Sequence, residues 1–225
     1  MSAPDQIVPS VFDGTANTIA VLVLLLEFLM LRSALLRAQV RLYAAQSFVV
    51  SVLAAVVAAD HGVPDLYALA AVSFAFKAVI VPWLVLRLMR DASTEIAGSG
   101  ALGVASEIIV ALVVAAFGFF TVGVLHVQSD VLPATALSLA FAVVLVAFVL
   151  IIMRRDVVSQ AVGFFSLENG VSLVSLVVAA GMPLILEVAF LFDLLVAVVV
   201  FGVLMRVHHG RTQSLSTENL TRLRG

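Results

Sequence analysis

Apolar runs of about twenty residues follow one another along the chain, separated by short polar interruptions, and this pattern predicts helices that cross a membrane. The runs fall at about 15–36, 42–60, 64–88, 103–125, 132–153, 157–180 and 182–205, which makes seven candidate spans. Pro64, Pro133 and Pro183 stand at predicted helix starts, where a missing N–H costs nothing. Pro82 lies inside the third span and predicts a kink there. The segment EIAGSGALG, Glu95–Gly103, is the Gly/Ser-rich linker, and the stretch after Met205 reads as a polar tail.

Composition agrees with that pattern. Hydrophobic types make up 63% of the 225 residues and charged types 12%, with a mean hydropathy of +1.22. Soluble domains run nearer 45–50% apolar and about 25% charged. So few charges cannot cover a soluble surface, and the fold class expected is an all-α polytopic membrane bundle. The N-terminal MSAPDQIVPSVFD carries no Lys or Arg before its first apolar run, so no cleaved signal peptide is expected.

The few basic residues are placed with a pattern. Arg32, Arg37 and Arg41 flank the first connection, Arg87 and Arg90 the third, Arg154 and Arg155 the fifth, and Arg206, Arg211, Arg222 and Arg224 follow the last span. The other connections carry no Lys or Arg. By the positive-inside rule the N-terminus is expected outside and the C-terminus in the cytoplasm. An odd number of spans fits that orientation.

A weak internal repeat supports a further expectation. Ser73–Arg90 aligns without a gap on Ala189–Arg206, placing Phe74 on Phe190, Phe76 on Phe192 and Lys77 on Asp193. Upstream, VVAADHGVP (Val56–Pro64) is similar to VVAAGMP (Val177–Pro183). Spans two and three share their orientation with spans six and seven. The expected plan is therefore a parallel repeat: a first three-helix unit over 15–90, a spacer helix at 103–125, a second unit over 132–206 and a cytoplasmic tail at 207–225, all in one membrane domain.

Ionisable groups inside spans are costly, face the bundle interior and are functional candidates by default. At about 1.5 Å per residue, Glu168 and Asp193 both lie roughly 16 Å into their spans, near the middle of a hydrocarbon core about 30 Å thick. They sit on consecutive antiparallel helices and are expected to meet. Two carboxylates in one dry pocket cannot both ionise cheaply, so a proton can be held there, as in a relay. A neutral acid holding two helices together by a hydrogen bond is the structural alternative. Glu27 and Lys77 lie roughly 18 and 20 Å deep by the same count and are expected to form an ion pair, either static or switchable. Glu187 lies near the outer end of span seven, as an access group or a snorkelling one. Glu107 mirrors it near the start of span four, with a structural role favoured. Gln46, Asn169 and Ser172 are candidate hydrogen-bonding partners between helices. His208 and His209 follow the last span and read as solvated.

Other chemistry finds no support. The chain has no cysteine, which removes disulfides, thiolate metal sites and cysteine nucleophiles. No Walker loop, GxSxG, HExxH or dinucleotide fingerprint occurs, and the Lys and Arg residues, 12 in all, form no nucleic-acid footprint.

With those residues placed, a resemblance emerges. SLENGVSL in the sixth span is similar to the glutamate-bearing second helix of complex I subunit K and the C-type subunits of Mrp antiporters, with Glu168 in the glutamate position and Asn169 near an asparagine. Asp193 stands where their third helix has a glutamate, one methylene shorter. Over its full length the chain resembles the hydrogenase-4 membrane component E family through YAAQSFVVSV, FKAVIVPWLV and FFSLENGVSL, best over residues 40–90 and 155–206. The resemblance implies a subunit of the membrane arm of a formate-hydrogenlyase-like or group 4 [NiFe] hydrogenase, in a prokaryotic cytoplasmic (inner) membrane. It implies antiporter-like membrane subunits, a ubiquinone-subunit-like anchor and soluble hydrogenase subunits as partners. Those partners would hold the NiFe centre and the iron–sulfur clusters, with no cofactor on this chain. Glu168, Asp193, Lys77 and Glu27 would carry protons or order sodium ions across the arm. An autonomous small ion or solute transporter and a purely structural scaffold remain the alternatives, and a membrane enzyme has no nucleophile or metal set to support it.

Overall fold

A computed structural model describes residues 11–62, 64–91, 96–97, 102–125, 133–178 and 183–212. The described helices are α1 (Val11–Arg32), α2 (Leu36–His61), α3 (Pro64–Ser73), a π segment (Phe74–Ile80), α4 (Val81–Leu88), α5 (Val104–Leu125), α6 (Ala134–Met153), α7 (Val157–Val178) and α8 (Pro183–Thr212). The third predicted span is α3, the π segment and α4 run together. Six helices are long and apolar enough to cross a membrane among the described residues, and α8 contributes a further apolar stretch, Leu191–Leu204.

The helix ends follow from local chemistry. Pro64 and Pro183 are first residues of helices, and Pro133 holds an extended ψ of 145° ahead of α6. Gly62 ends α2 with a φ of +64°, a left-handed turn that glycine enters without a Cβ clash, while its N–H reaches Ala58 O. Pro82 produces something other than a simple kink. It has no N–H to offer Ala78, and its ring crowds that carbonyl. The turn before it is widened instead, with Val81 N–H reaching back to Phe76 O, and Lys77 sits inside this wide turn.

Two apolar cores fill the ends of the bundle. One gathers Met30, Leu36, Tyr43, Val85, Leu150 and Phe165. The other gathers Ala20, Leu53, Leu69, Ala140, Leu173 and Leu176. Between those cores α1, α2 and α7 place buried polar side chains: Glu27, then Gln46 and Ser47, then Ser166, Glu168, Asn169 and Ser172. Glycine makes the approach of α6 to α7 possible. A Cβ at Gly170 would stand 3.1 Å from Val144 N, and one at Gly163 would stand 3.2 Å from Ile151 N.

Two corners of the chain are built alike. Ser33 N–H donates to Leu29 O at 3.0 Å, and Arg154 N–H donates to Leu150 O at 3.2 Å. Gln39 N–H reaches Leu35 O at 3.0 Å, and Gln160 N–H reaches Asp156 O at 3.1 Å. The side-chain amide of Gln39 caps Ser33 O at 2.8 Å, while that of Gln160 caps Arg154 O at 3.0 Å. This register, 33 on 154 and 39 on 160, also places Val56 on Val177, as in the sequence match. Helices α1 and α6, α2 and α7, and α3 and α8 pack against each other.

Arg154 belongs to the inside of its corner. Its guanidinium is buried, donates to Leu31 O at the C-terminal end of α1 and stands 3.7 Å from Glu107 of α5. A cation there meets unpaired helix carbonyls as well as a carboxylate. Glu107 is thus a buried partner of that cation.

Candidate functional site

The candidate site is the polar layer between the two apolar cores, and α7 is its spine. This helix is the least apolar of the candidate spans, yet 72% of its spanning window is buried, against 28% for that of the far more apolar α5. In a bilayer that inversion is expected, because lipid accepts apolar faces and rejects polar ones.

Gln46 is the hub of one half of the layer. Its Nε2 donates to Glu27 Oε2 at 2.8 Å and lies 3.3 Å from Val23 O. Its Oε1 accepts from Asn169 Nδ2 at 3.0 Å and lies 2.8 Å from Ser166 Oγ. The Ser166 hydroxyl also contacts Glu27 Oε2, so its single proton has two acceptors within reach. Asn169 Nδ2 donates further to Ser47 Oγ at 2.9 Å. α1, α2 and α7 are therefore joined through one hydrogen-bond network. Glu27 Oε1 and Asn169 Oδ1 are buried acceptors with no donor among the described residues.

Lys77 forms the other half. Its Nζ is fully buried and donates to Ser172 Oγ at 2.7 Å. Ser172 lies one helical turn beyond Glu168 on α7, so the two share a face. Next to them is a small cavity lined by Val50, Ala54, Leu69, Ser73, Ser172 and Ser175, with room for roughly one water molecule.

The expected pairings are rearranged. Glu27 is bound by Gln46 and Ser166, and Lys77 reaches Ser172, so the predicted Glu27–Lys77 pair is replaced by two separate attachments to α7. Ser166 and Ser172 are roughly 9 Å apart along the helix axis at about 1.5 Å per residue. Glu168 is buried, whereas Asp193 is exposed on α8, so the two carboxylates do not share a pocket. The physical reason is the rotation of α8, which turns Leu194, Ala197 and Val198 into the bundle. Gln46 and Asn169 do bridge helices. Glu107 lies at the Arg154 corner, apart from the layer. The side chains of Glu187, His208 and His209 lie outside the described residues.

Sequence reasoning passes over Ser47 and Ser166, because serine is unremarkable in apolar helices. A signal exists in the recurring small polar residues of α7, Ser159, Ser166, Ser172 and Ser175, all of them buried. Among the described residues no group of three or more His, Cys, Asp or Glu side chains can hold a metal ion.

No family model matches the chain, and no solved structure matches it. Among curated proteins, the uncharacterized protein Rv0085 of Mycobacterium tuberculosis is 33% identical over 172 residues, covering 75% of this chain and 77% of that protein. Hydrogenase-4 component E of Escherichia coli is 28% identical over 214 residues, covering 93% of this chain and 97% of that protein, and that of Shigella flexneri matches equally. The chain thus belongs to the family of Rv0085 and is a distant relative of bacterial hydrogenase-4 component E. It is a multi-pass helical protein of a prokaryotic inner membrane, where helical bundles rather than barrels are found.

Proposed function

Since the chain belongs to the family of Rv0085 and is similar to hydrogenase-4 component E along nearly its whole length, we propose that it is a membrane-arm subunit of an energy-converting, complex I-like hydrogenase assembly. It has no catalytic activity alone. Electron transfer, the NiFe centre and the iron–sulfur clusters belong to soluble partner subunits, and antiporter-like and ubiquinone-subunit-like proteins are its membrane neighbours. The absence of cysteine on this chain accords with that division.

Its contribution is a set of charged groups for the translocation of protons, or of sodium ions, across the arm. Glu168, Lys77, Glu27 and Asp193 are the groups that carry it. The observation that supports this most is the attachment of buried Lys77 to Ser172, beside Glu168 and on the same helix as the Glu27–Gln46–Ser166–Asn169 network. Lysine, carboxylates and hydroxyls in one layer give a proton several neighbouring stations, and Ser166, with two acceptors in reach, can turn between them.

Two architectural readings go with this function. The matching corners, and the packing of α1 on α6, α2 on α7 and α3 on α8, support a parallel repeat of three-helix units with α5 as spacer. The distribution of arginines supports an outside N-terminus and a cytoplasmic C-terminus.

The test is proton movement into inverted vesicles that contain the assembled complex, comparing the native chain with Glu168→Gln. Assembly is followed by pull-down and electron transfer is assayed separately. Pumping should fall while assembly and electron transfer persist. Unchanged pumping would leave Glu168 structural and the chain a scaffold of the arm.

A further inference from the structure

Helices α5 and α8 both present broad exposed faces, and the chemistry of the two differs. The exposed face of α5 carries Ile109, Leu112, Val113, Phe117, Phe120 and Val124, all apolar and suited to hydrocarbon. The exposed face of α8 carries Phe192, Val196, Val199, Val200 and Val203, and among them stands Asp193. Positions 193, 196 and 200 fall on one stripe of a helix.

Asp193 lies about 15 Å along α8 from Pro183 at about 1.5 Å per residue, which is mid-membrane for a core about 30 Å thick. A carboxylate bare to lipid at that depth is among the costliest placements in a bilayer. Asp193 cannot escape by turning inward, because Leu194, Ala197 and Val198 already fill that side of α8. No hydrogen bond or ion pair ties it to another described residue. A second copy of this chain would be a poor cover, since a two-fold contact through this stripe brings Asp193 toward its own like charge.

We propose that this face of α8 seats a transmembrane helix of a partner subunit, and that the partner presents a lysine or arginine side chain to Asp193. The valine strip supplies a smooth surface for close helix contact, and the carboxylate supplies register and partner choice. The proposal rests on the reading of the chain as one subunit of a larger assembly, and it names the neighbour that completes the charged layer at Asp193.

The chain has no cysteine, so single cysteines can be introduced cleanly. In membranes holding the whole complex, Val200→Cys on α8 and Val113→Cys on α5 are labelled with a maleimide photo-crosslinker and the adducts are mapped by mass spectrometry. Position 200 should give an adduct within a membrane-spanning segment of a different subunit that carries a Lys or Arg near the adduct, and position 113 should give none. In parallel, Asp193→Lys should lower recovery of that subunit on pull-down at least tenfold, Asp193→Asn about threefold or more, and Asp193→Glu should restore it. An adduct to a second copy, no protein adduct from position 200, equal adducts from both positions, or full recovery with Asp193→Asn overturns the proposal. If position 200 gives no adduct while Glu168→Gln still abolishes pumping, the interface falls and the functional reading stands. If the adduct forms while Glu168→Gln pumps normally, the relay falls and the interface stands.

Discussion

Lys77 Nζ donates to Ser172 Oγ at 2.7 Å, which ties the π segment of the third span to α7 one turn from Glu168. An ammonium in this setting depends on its acceptors, and hydrogen bonds to charged groups contribute about 1.5–3 kcal/mol. Ser172→Ala should lower the thermal stability of the detergent-solubilised chain by that order. Lys77→Met, which removes the charge and keeps much of the volume, should leave stability within about 1–2 kcal/mol and abolish ion translocation. A Lys77→Met chain that still pumps would make Lys77 a packing residue.

The wide turn around Lys77 is caused by Pro82. Pro82→Ala returns an N–H that can bond to Ala78 O, so an ordinary α turn becomes available. Dropping one residue from the wide turn would rotate Lys77 by about 100° relative to α4. The expected result is a chain of equal or higher thermal stability with translocation lost. Stability and pumping that fall together would point to a general packing defect.

Gln46 joins Glu27, Ser166 and Asn169, so its loss strands several buried groups at once. Gln46→Leu should destabilise the bundle by about 2–4 kcal/mol, more than a single lost hydrogen bond. Gln46→Leu combined with Glu27→Leu should recover part of that loss, because the stranded carboxylate is gone. A double variant as unstable as the sum of the singles would argue against the network.

At the corner, Arg154→Gln leaves Glu107 buried without its cation. Breaking a buried pair costs about 3–5 kcal/mol, and removing both charges costs less. In a double-mutant cycle with Glu107→Gln, the coupling energy should exceed about 1 kcal/mol.

Gly170→Ala tests the α6–α7 contact. Its new Cβ would meet Val144 N at 3.1 Å, so the helices must part, at about 1–3 kcal/mol. Gly123→Ala meets nothing within 4 Å and should be neutral or slightly stabilising.

The spans, the helix-starting prolines, the special place of Pro82 and the acids, amides and lysine inside the apolar runs are legible in the sequence, whereas Ser47 and Ser166 of the same polar layer are not. They follow from hydropathy and helix stereochemistry, because lipid forces each crossing segment to satisfy its own backbone. Partner choice is a different matter. Counting residues gives depth along a helix, and depth alone pairs Glu27 with Lys77, and Glu168 with Asp193. Each helix is also free to rotate about its axis and to choose its neighbours, and a nearly uniform apolar sequence leaves that rotation weakly marked.

The sequence by itself determined an all-α membrane chain whose apolar runs carry acids, amides and one lysine, because a span must be long and apolar and each of those groups stands out against it. Only the tertiary structure decided who faces whom. Rotation of α8 puts Leu194, Ala197 and Val198 inside and Asp193 outside. The widened turn before Pro82 carries Lys77 to Ser172, and the approach of α1, α2 and α7 gives Glu27 to Gln46 and Ser166. The reason is that side-chain pairing depends on helix azimuth, which close packing of the whole bundle sets and no single span encodes.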